Sequence, residues 1–115
     1  MTYQWQIFIA SLDPIEGSEQ GGRRPVLVVS REHINQLIPV VNVIPITSRK
    51  SPKRTIYPNE VLLPTDKSGL KVDSIALCYQ IRTLDKSRLT HSIGKLDDPS
   101  LRRKIIKALQ FQLEI

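Results

Sequence analysis

A chain of 115 residues, 40% of them hydrophobic, suffices for one domain, residues 1–115, around a single modest core. Its 17 Lys and Arg against 11 Asp and Glu give a formal charge of +6 and a pI near 9.8, which favours a polyanion such as nucleic acid as partner. One cysteine excludes an intrachain disulfide, no Cys/His grouping has metal-ligand spacing, and no apolar run reaches the length of a membrane span.

The N-terminal residues carry neither a basic leader nor a long apolar core, so no signal peptide and a cytoplasmic location are expected. Trp5 to Leu12 reads as a strand, with Trp5, Ile7 and Ile9 on one face and Phe8 and Ala10 on the other. Both faces are apolar, which predicts a central strand or one buried by a partner chain. Asp13-Pro14 supplies the turn chemistry that closes it. Gly17 to Gly22 then places three glycines in six positions, a backbone that turns sharply or lets a ligand approach closely. Arg23 and Arg24 follow. Pro25 fixes its own φ and pushes Arg24 into the extended region, holding a positive charge at the root of a strand. Such a fork can meet a phosphate; a hairpin loop with solvated charges is the plainer reading.

Pro25 to Ser30 predicts a second strand, with Ser30 as cap of a helical turn through Leu37. Val40 to Thr47 predicts a third. Pro45 cannot donate to a ladder, so that end lies on an edge or bulge, and the Thr47 hydroxyl falls where pairing is interrupted. Ser48 to Pro58 carries Arg49, Lys50, Lys53 and Arg54 with no acid, and ends near Tyr57. It reads as a mobile basic loop able to fold over a phosphate backbone, or as a solvated face. Further strands are expected at Asn59–Leu63, at Val72–Leu77 continuing through Thr83 after a kink, and at Thr90–Leu96. Asp66 to Gly69 reads as a turn and Leu84 to Leu89 as a capped helical turn. Cys78, at the end of an apolar run, reads as a buried structural thiol. The C-terminal segment predicts an amphipathic helix with Asp98 as N-cap, Pro99 at the first position, and Leu101, Ile105, Leu109 and Leu113 on one stripe. Its basic residues Arg102, Arg103, Lys104 and Lys107 face either solvent or an acidic partner. Short strands with one terminal helix point to a mainly β, barrel-like antiparallel fold.

Gly17–Val29, Ile44–Ser48, Gly69–Ser74 and Gln80–Leu89 together resemble, in order and spacing, the signature blocks of the MazF/PemK family, ribonuclease toxins of bacterial toxin–antitoxin pairs. The resemblance implies an SH3-like barrel with a C-terminal helix, shared with the gyrase-poisoning CcdB toxins. It also implies a homodimer that binds single-stranded RNA, is held inactive by a cognate antitoxin, and uses no metal or cofactor. The implied chemistry is attack by the ribose 2′-OH on its adjacent phosphate, giving a cyclic phosphate and a 5′-OH end. Arg24 and Thr47 then occupy the positions thought to act directly, and Glu19 is either a base or a salt-bridge partner stiffening the loop. RNA contacts fall on Ser18, Gln20, Arg23, Ser48, Arg49, Lys50, Lys53, Arg54 and Gln80. Arg82 either joins them or anchors the sheet through Asp85. Two departures stand out: relatives usually carry Gly-Asp where Trp5-Gln6 stand, and some are thought to use an aspartate where Tyr79 stands. Tyrosine, with an unperturbed pKa of about 10, is a poor base at neutral pH. His33 and His91 fall outside the matched blocks and read as surface residues. The competing readings are an RNA- or antitoxin-binding module without catalysis, and a gyrase poison on the same barrel.

Overall fold

The computed structural model describes residues 1–115. Seven strands appear in chain order: β1 Gln6–Ser11, β2 Arg23–Val28, β3 Val40–Ser48, β4 Glu60–Leu63, β5 Ser74–Leu77, β6 Arg82–Asp85 and β7 Leu89–Lys95. Helices are α1 Glu32–Asn35, α2 Thr65–Ser68 and α3 Pro99–Leu113, with 3₁₀ turns at Cys78–Gln80 and Lys86–Arg88. All pairings are antiparallel, in the order β4-β5-β3-β2-β1-β7, with β6 added on β3.

This connectivity curls the sheet into a barrel-like circuit. β1 pairs β2, β2 pairs β3, β3 pairs β6, and β6 leads through the Lys86–Arg88 turn into β7, which pairs β1 again. β4, β6 and β7 each keep one paired neighbour, so short strands stand at the margins of the curled sheet. Alternation along each strand then decides what fills the circuit. Phe8, Ala10, Val26, Val28, Val41, Val43 and Leu84 form one buried cluster within this circuit. The opposite side chains, Ile7, Leu27, Ile44 and Ile46, pack with Val61, Leu63, Ala76 and Cys78 beneath Leu101, Ile105 and Ala108 of α3. β1 is therefore central, with two buried faces, as its sequence predicts.

The nine-residue β3 serves two sheets. Val40–Val43 pairs β6, Ile46–Ser48 pairs β5, and Pro45 stands between the two partners. The missing N–H of the proline falls where the second neighbour changes.

Several local expectations are corrected. Ser30 does not cap α1: Arg31 holds that position, while Ser30 Oγ bonds Asn35 Oδ1 at 2.5 Å and accepts from Asn42 N. Asp66–Gly69 is not a bare turn but the body of α2 and its end, with Gly69 at φ +76. Leu84 and Asp85 belong to β6, and Asp85 caps the following 3₁₀ turn through Ser87 N. α3 starts as expected, with Asp98 Oδ1 accepting from Leu101 N at 3.0 Å. Its buried stripe is Leu101, Ile105 and Ala108, whereas Leu113 and Phe111 are exposed, because the helix outruns the sheet it covers. Trp5 sits at φ +65, a left-handed conformation costing a non-glycine residue about 1–2 kcal/mol. Its ring packs against the α3-side core and lies 5.2 Å from the Arg102 guanidinium, contacts that offset the cost.

Candidate active site

The site arises where β2 and β3 part. Their register runs Val28↔Val43, Leu27↔Ile44, Val26↔Pro45, and stops. Pro25 and Pro45 each lack an N–H at this end, so the ladder loses donors on both strands. Continued by two residues, the same register would set Arg24 opposite Thr47. Instead the strands splay, and a cleft of about 390 Å³ opens, lined by Gly21 to Pro25 on one side and Ile46, Thr47 and Ser48 on the other. Val72 and Ser74 complete its wall. Thr47 keeps a partner, Ile75, only on the β5 side. Arg24 and Thr47 thus line one cavity from two strand ends.

Arg24 is half-buried and paired with Ala10 of β1. Its Nε donates to the Gly21 carbonyl at 2.8 Å, and none of the three ion pairs in the chain involves it. Its charge is therefore held by a neutral group rather than cancelled by an acid. Arg23 is more exposed and reaches Thr90 Oγ1 at 3.3 Å.

Glu19 does not lie in this cleft. Its carboxylate accepts from Glu16 N at 2.7 Å, and no salt bridge joins it to Arg24. It lines a neighbouring cleft of about 460 Å³ with Ser18, Gln20, Tyr79, Gln80 and Arg82. There Gln80 Oε1 accepts from Gln20 N at 2.9 Å, tying the glycine loop to the Cys78–Gln80 turn. Arg82 does not anchor through Asp85. It donates to the Leu12 carbonyl at 3.2 Å, and so holds the strand end from which the glycine loop departs.

The basic segment divides. Ser48, Arg49 and Lys50 line a third cleft, with Val72 and Asp73, which shares Ser48 and Val72 with the Arg24–Thr47 cleft. Arg49 Nη2 donates to the Arg54 carbonyl at 3.1 Å, and Lys50 is exposed at φ +62. Lys53 is exposed as well. Arg54 departs from the expectation of a free cation. It forks onto Glu60, Nη1 to Oε1 at 2.5 Å and Nη2 to Oε2 at 2.8 Å. The Glu60 side chain is only 3% exposed and also accepts from Tyr57 N. The fork holds the Glu60 carboxyl below the usual carboxylate range, against the opposing effect of burial, and raises Arg54 in turn. The loop is pinned at its far root.

Cys78 is fully buried, and burial pushes its thiol up to about 12, so it offers no nucleophile. No group of three or more His, Cys, Asp or Glu converges on a point that could hold a metal ion. One contributor escaped the sequence reading. Asp13 Oδ1 accepts from Gly22 N at 2.9 Å, and nothing local to Asp13-Pro14 signals a bond nine residues away.

Comparison with known proteins identifies the family. Residues 3–113 match the family model described as PemK-like, MazF-like toxin of type II toxin–antitoxin system. The chain is 39% identical over 109 residues to endoribonuclease EndoA of Bacillus subtilis, covering 95% of this chain and 91% of that one. It is 37% identical over 102 residues to endoribonuclease MazF of Staphylococcus saprophyticus, covering 89% and 83%. The crystal structure of MazF from Deinococcus radiodurans superposes with a TM-score of 0.81 at 28% identity, covering 98% of this chain and 96% of that one. The chain belongs to the PemK-like, MazF-like family of toxins of type II toxin–antitoxin systems.

Proposed function

We propose that this toxin-family endoribonuclease cuts single-stranded RNA at the Arg24–Thr47 cleft by attack of the ribose 2′-OH on its own adjacent phosphate. The bond to the 5′ oxygen of the next nucleotide breaks, leaving a 2′,3′-cyclic phosphate and a 5′-OH. The observation that carries this reading is the opposition of Arg24 and Thr47 across one cavity at the splayed ends of β2 and β3.

Each group has one task. Arg24 remains protonated at working pH, so it stabilises charge growing on the non-bridging oxygens rather than accepting a proton. Thr47 donates a hydrogen bond to the same phosphate and helps hold the 2′-OH in line. The nucleophile belongs to the substrate, which is why RNA and not DNA is cut. The adjoining Ser48–Lys50 cleft and the exposed Lys53 continue the positive path for the backbone. Ser18, Gln20, Gln80 and Arg82, in the neighbouring cleft, lie where an unstacked base next to the scissile phosphate would fall. Arg54 is assigned to the loop root, not to RNA.

The domain spans 1–115, acts in the cytoplasm as a homodimer, and is silenced by a cognate antitoxin. Support comes from the family match over 3–113 and from the apolar Phe111 and Leu113 left exposed on α3. Mapping 5′-hydroxyl ends in total RNA after brief induction, and repeating the cut with purified protein in excess chelator, tests the chemistry. Discrete 5′-OH ends that persist with chelator are expected. RNA retained without new ends would leave only a binding module, and loss of cutting with chelator would remove the metal-free mechanism.

A further inference from the structure

The peptide unit between Gly21 and Gly22 is bonded on both of its edges. Its N–H, from Gly22, donates to Asp13 Oδ1 at 2.9 Å; its carbonyl, from Gly21, accepts from Arg24 Nε at 2.8 Å. One peptide plane therefore stands between a carboxylate and the guanidinium assigned to the scissile phosphate. A charged acceptor on the N–H side polarises the unit and strengthens the carbonyl as acceptor. The bond to Arg24 uses Nε and leaves its two terminal nitrogens for a phosphate.

The surroundings hold that plane in place. Leu12 N donates to the Gly22 carbonyl at 2.9 Å. The Leu12 carbonyl accepts from Arg82 Nη1 at 3.2 Å, and the Asp13 carbonyl from Arg88 Nη1 at 3.0 Å. A Cβ added at Gly21 would stand 2.9 Å from Asp13 Oδ1 and 2.8 Å from Ile15 Cδ1, so only glycine admits the carboxylate at this distance. Gly22, at φ +72, has the left-handed conformation that presents its N–H to Asp13.

We propose that Asp13 is the positioning residue for Arg24: by fixing the Gly21–Gly22 peptide it aims the guanidinium at the phosphate, without itself touching RNA. This rests on the reading of Arg24 as the phosphate ligand. It also gives the glycine loop a second purpose, since the two adjacent glycines let one peptide serve a carboxylate and an arginine at once.

The test measures kcat and KM on a single-stranded oligonucleotide for wild type, Asp13→Ala, Asp13→Asn and Arg24→Ala. Alongside, it measures solvent exchange of the Arg24 Nε–H in ¹⁵N-labelled protein. Asp13→Ala is expected to lower kcat about tenfold to a hundredfold with KM within about twofold, the signature of misalignment rather than lost binding. It should also speed exchange at Arg24 Nε–H. Asp13→Asn retains an accepting Oδ1 and should recover most of both effects. Gly21→Ala, which evicts the carboxylate from the opposite side, should reproduce the Asp13→Ala result. Wild-type kcat in Asp13→Ala overturns the proposal, as does a fall in kcat with exchange at Arg24 unchanged. If Arg24→Ala cuts at the wild-type rate, the assignment of the centre fails instead. The exchange measurement keeps those two failures apart, because it reads the Asp13–Arg24 connection without reference to cleavage.

Discussion

Arg24 and Arg54 both adjoin loops dense in turn residues, but Arg24 gives its Nε to a neutral carbonyl, whereas Arg54 gives both arms to a buried carboxylate. The first anchor fixes direction and leaves the charge intact for a ligand. The second fixes a loop root and cancels the charge within the fold. A count of basic residues treats the two alike; the partner of each decides which one can act on a phosphate. The glycine loop is thus an aiming device, and the far end of the basic segment is a structural latch.

The largest effect that would break this contrast lies at Arg24. Arg24→Ala is expected to lower cleavage by about a hundred- to a thousandfold, with the unfolding midpoint in urea little changed. Equal cutting by the variant would erase the distinction. The latch predicts the reverse pattern. Glu60→Gln should cost about 2–3 kcal/mol of stability, less than for a fully buried pair because Arg54 is a third exposed, as read by denaturant unfolding. Cleavage by the folded fraction should stay near wild type.

Next in size is the acid response. Glu60 is held below the ordinary carboxylate range by Arg54, so its contribution is complete above about pH 4.3 and lost as pH falls through its lowered folded value. Glu32 behaves likewise. Burial alone would raise its pKa, but donors from Gln4, Gln36, Tyr3 and Asn35 bring it down to about 2. Urea midpoints of wild type should therefore decline from about pH 4 toward pH 2, and Glu32→Gln should flatten that decline. A wild-type curve with no fall in this window would contradict both assignments. The smallest effect sharpens the contrast within the basic segment. Lys50→Gln and Lys53→Gln should each lower the salt slope of RNA binding by about 0.7. Arg54→Gln should leave the slope unchanged and act on stability.

What the sequence made legible were features whose causes are local. Alternation placed both faces of β1, Asp98-Pro99 placed the start of α3, and Pro45 marked where the β2–β3 pairing ends. Each depends on a few neighbouring residues. The errors share a different origin. Arg54 looked free because its acid, Glu60, lies just beyond the acid-free run, and only the folded chain brings them together. Arg82 and Asp85 sit at suitable spacing for a pair, yet the strand sends Arg82 to Leu12, 70 residues away. Leu113 keeps the helical period past the end of the sheet, where nothing remains to cover it. Asp13 read as turn chemistry because its bond to Gly22 crosses the mouth of a loop. Periodicity and backbone-restricting residues were readable; the partners of side chains across loops were not.

The central claim is that Arg24 and Thr47 act on one phosphodiester, and a double-mutant cycle on the rate of RNA cleavage tests it directly. Arg24→Ala, Thr47→Val and the double variant are compared with wild type on the same oligonucleotide. Two groups that share a phosphate should be coupled, so the double variant should lose little more than Arg24→Ala alone. Losses that simply multiply would mean the two groups act independently, and would contradict a shared centre.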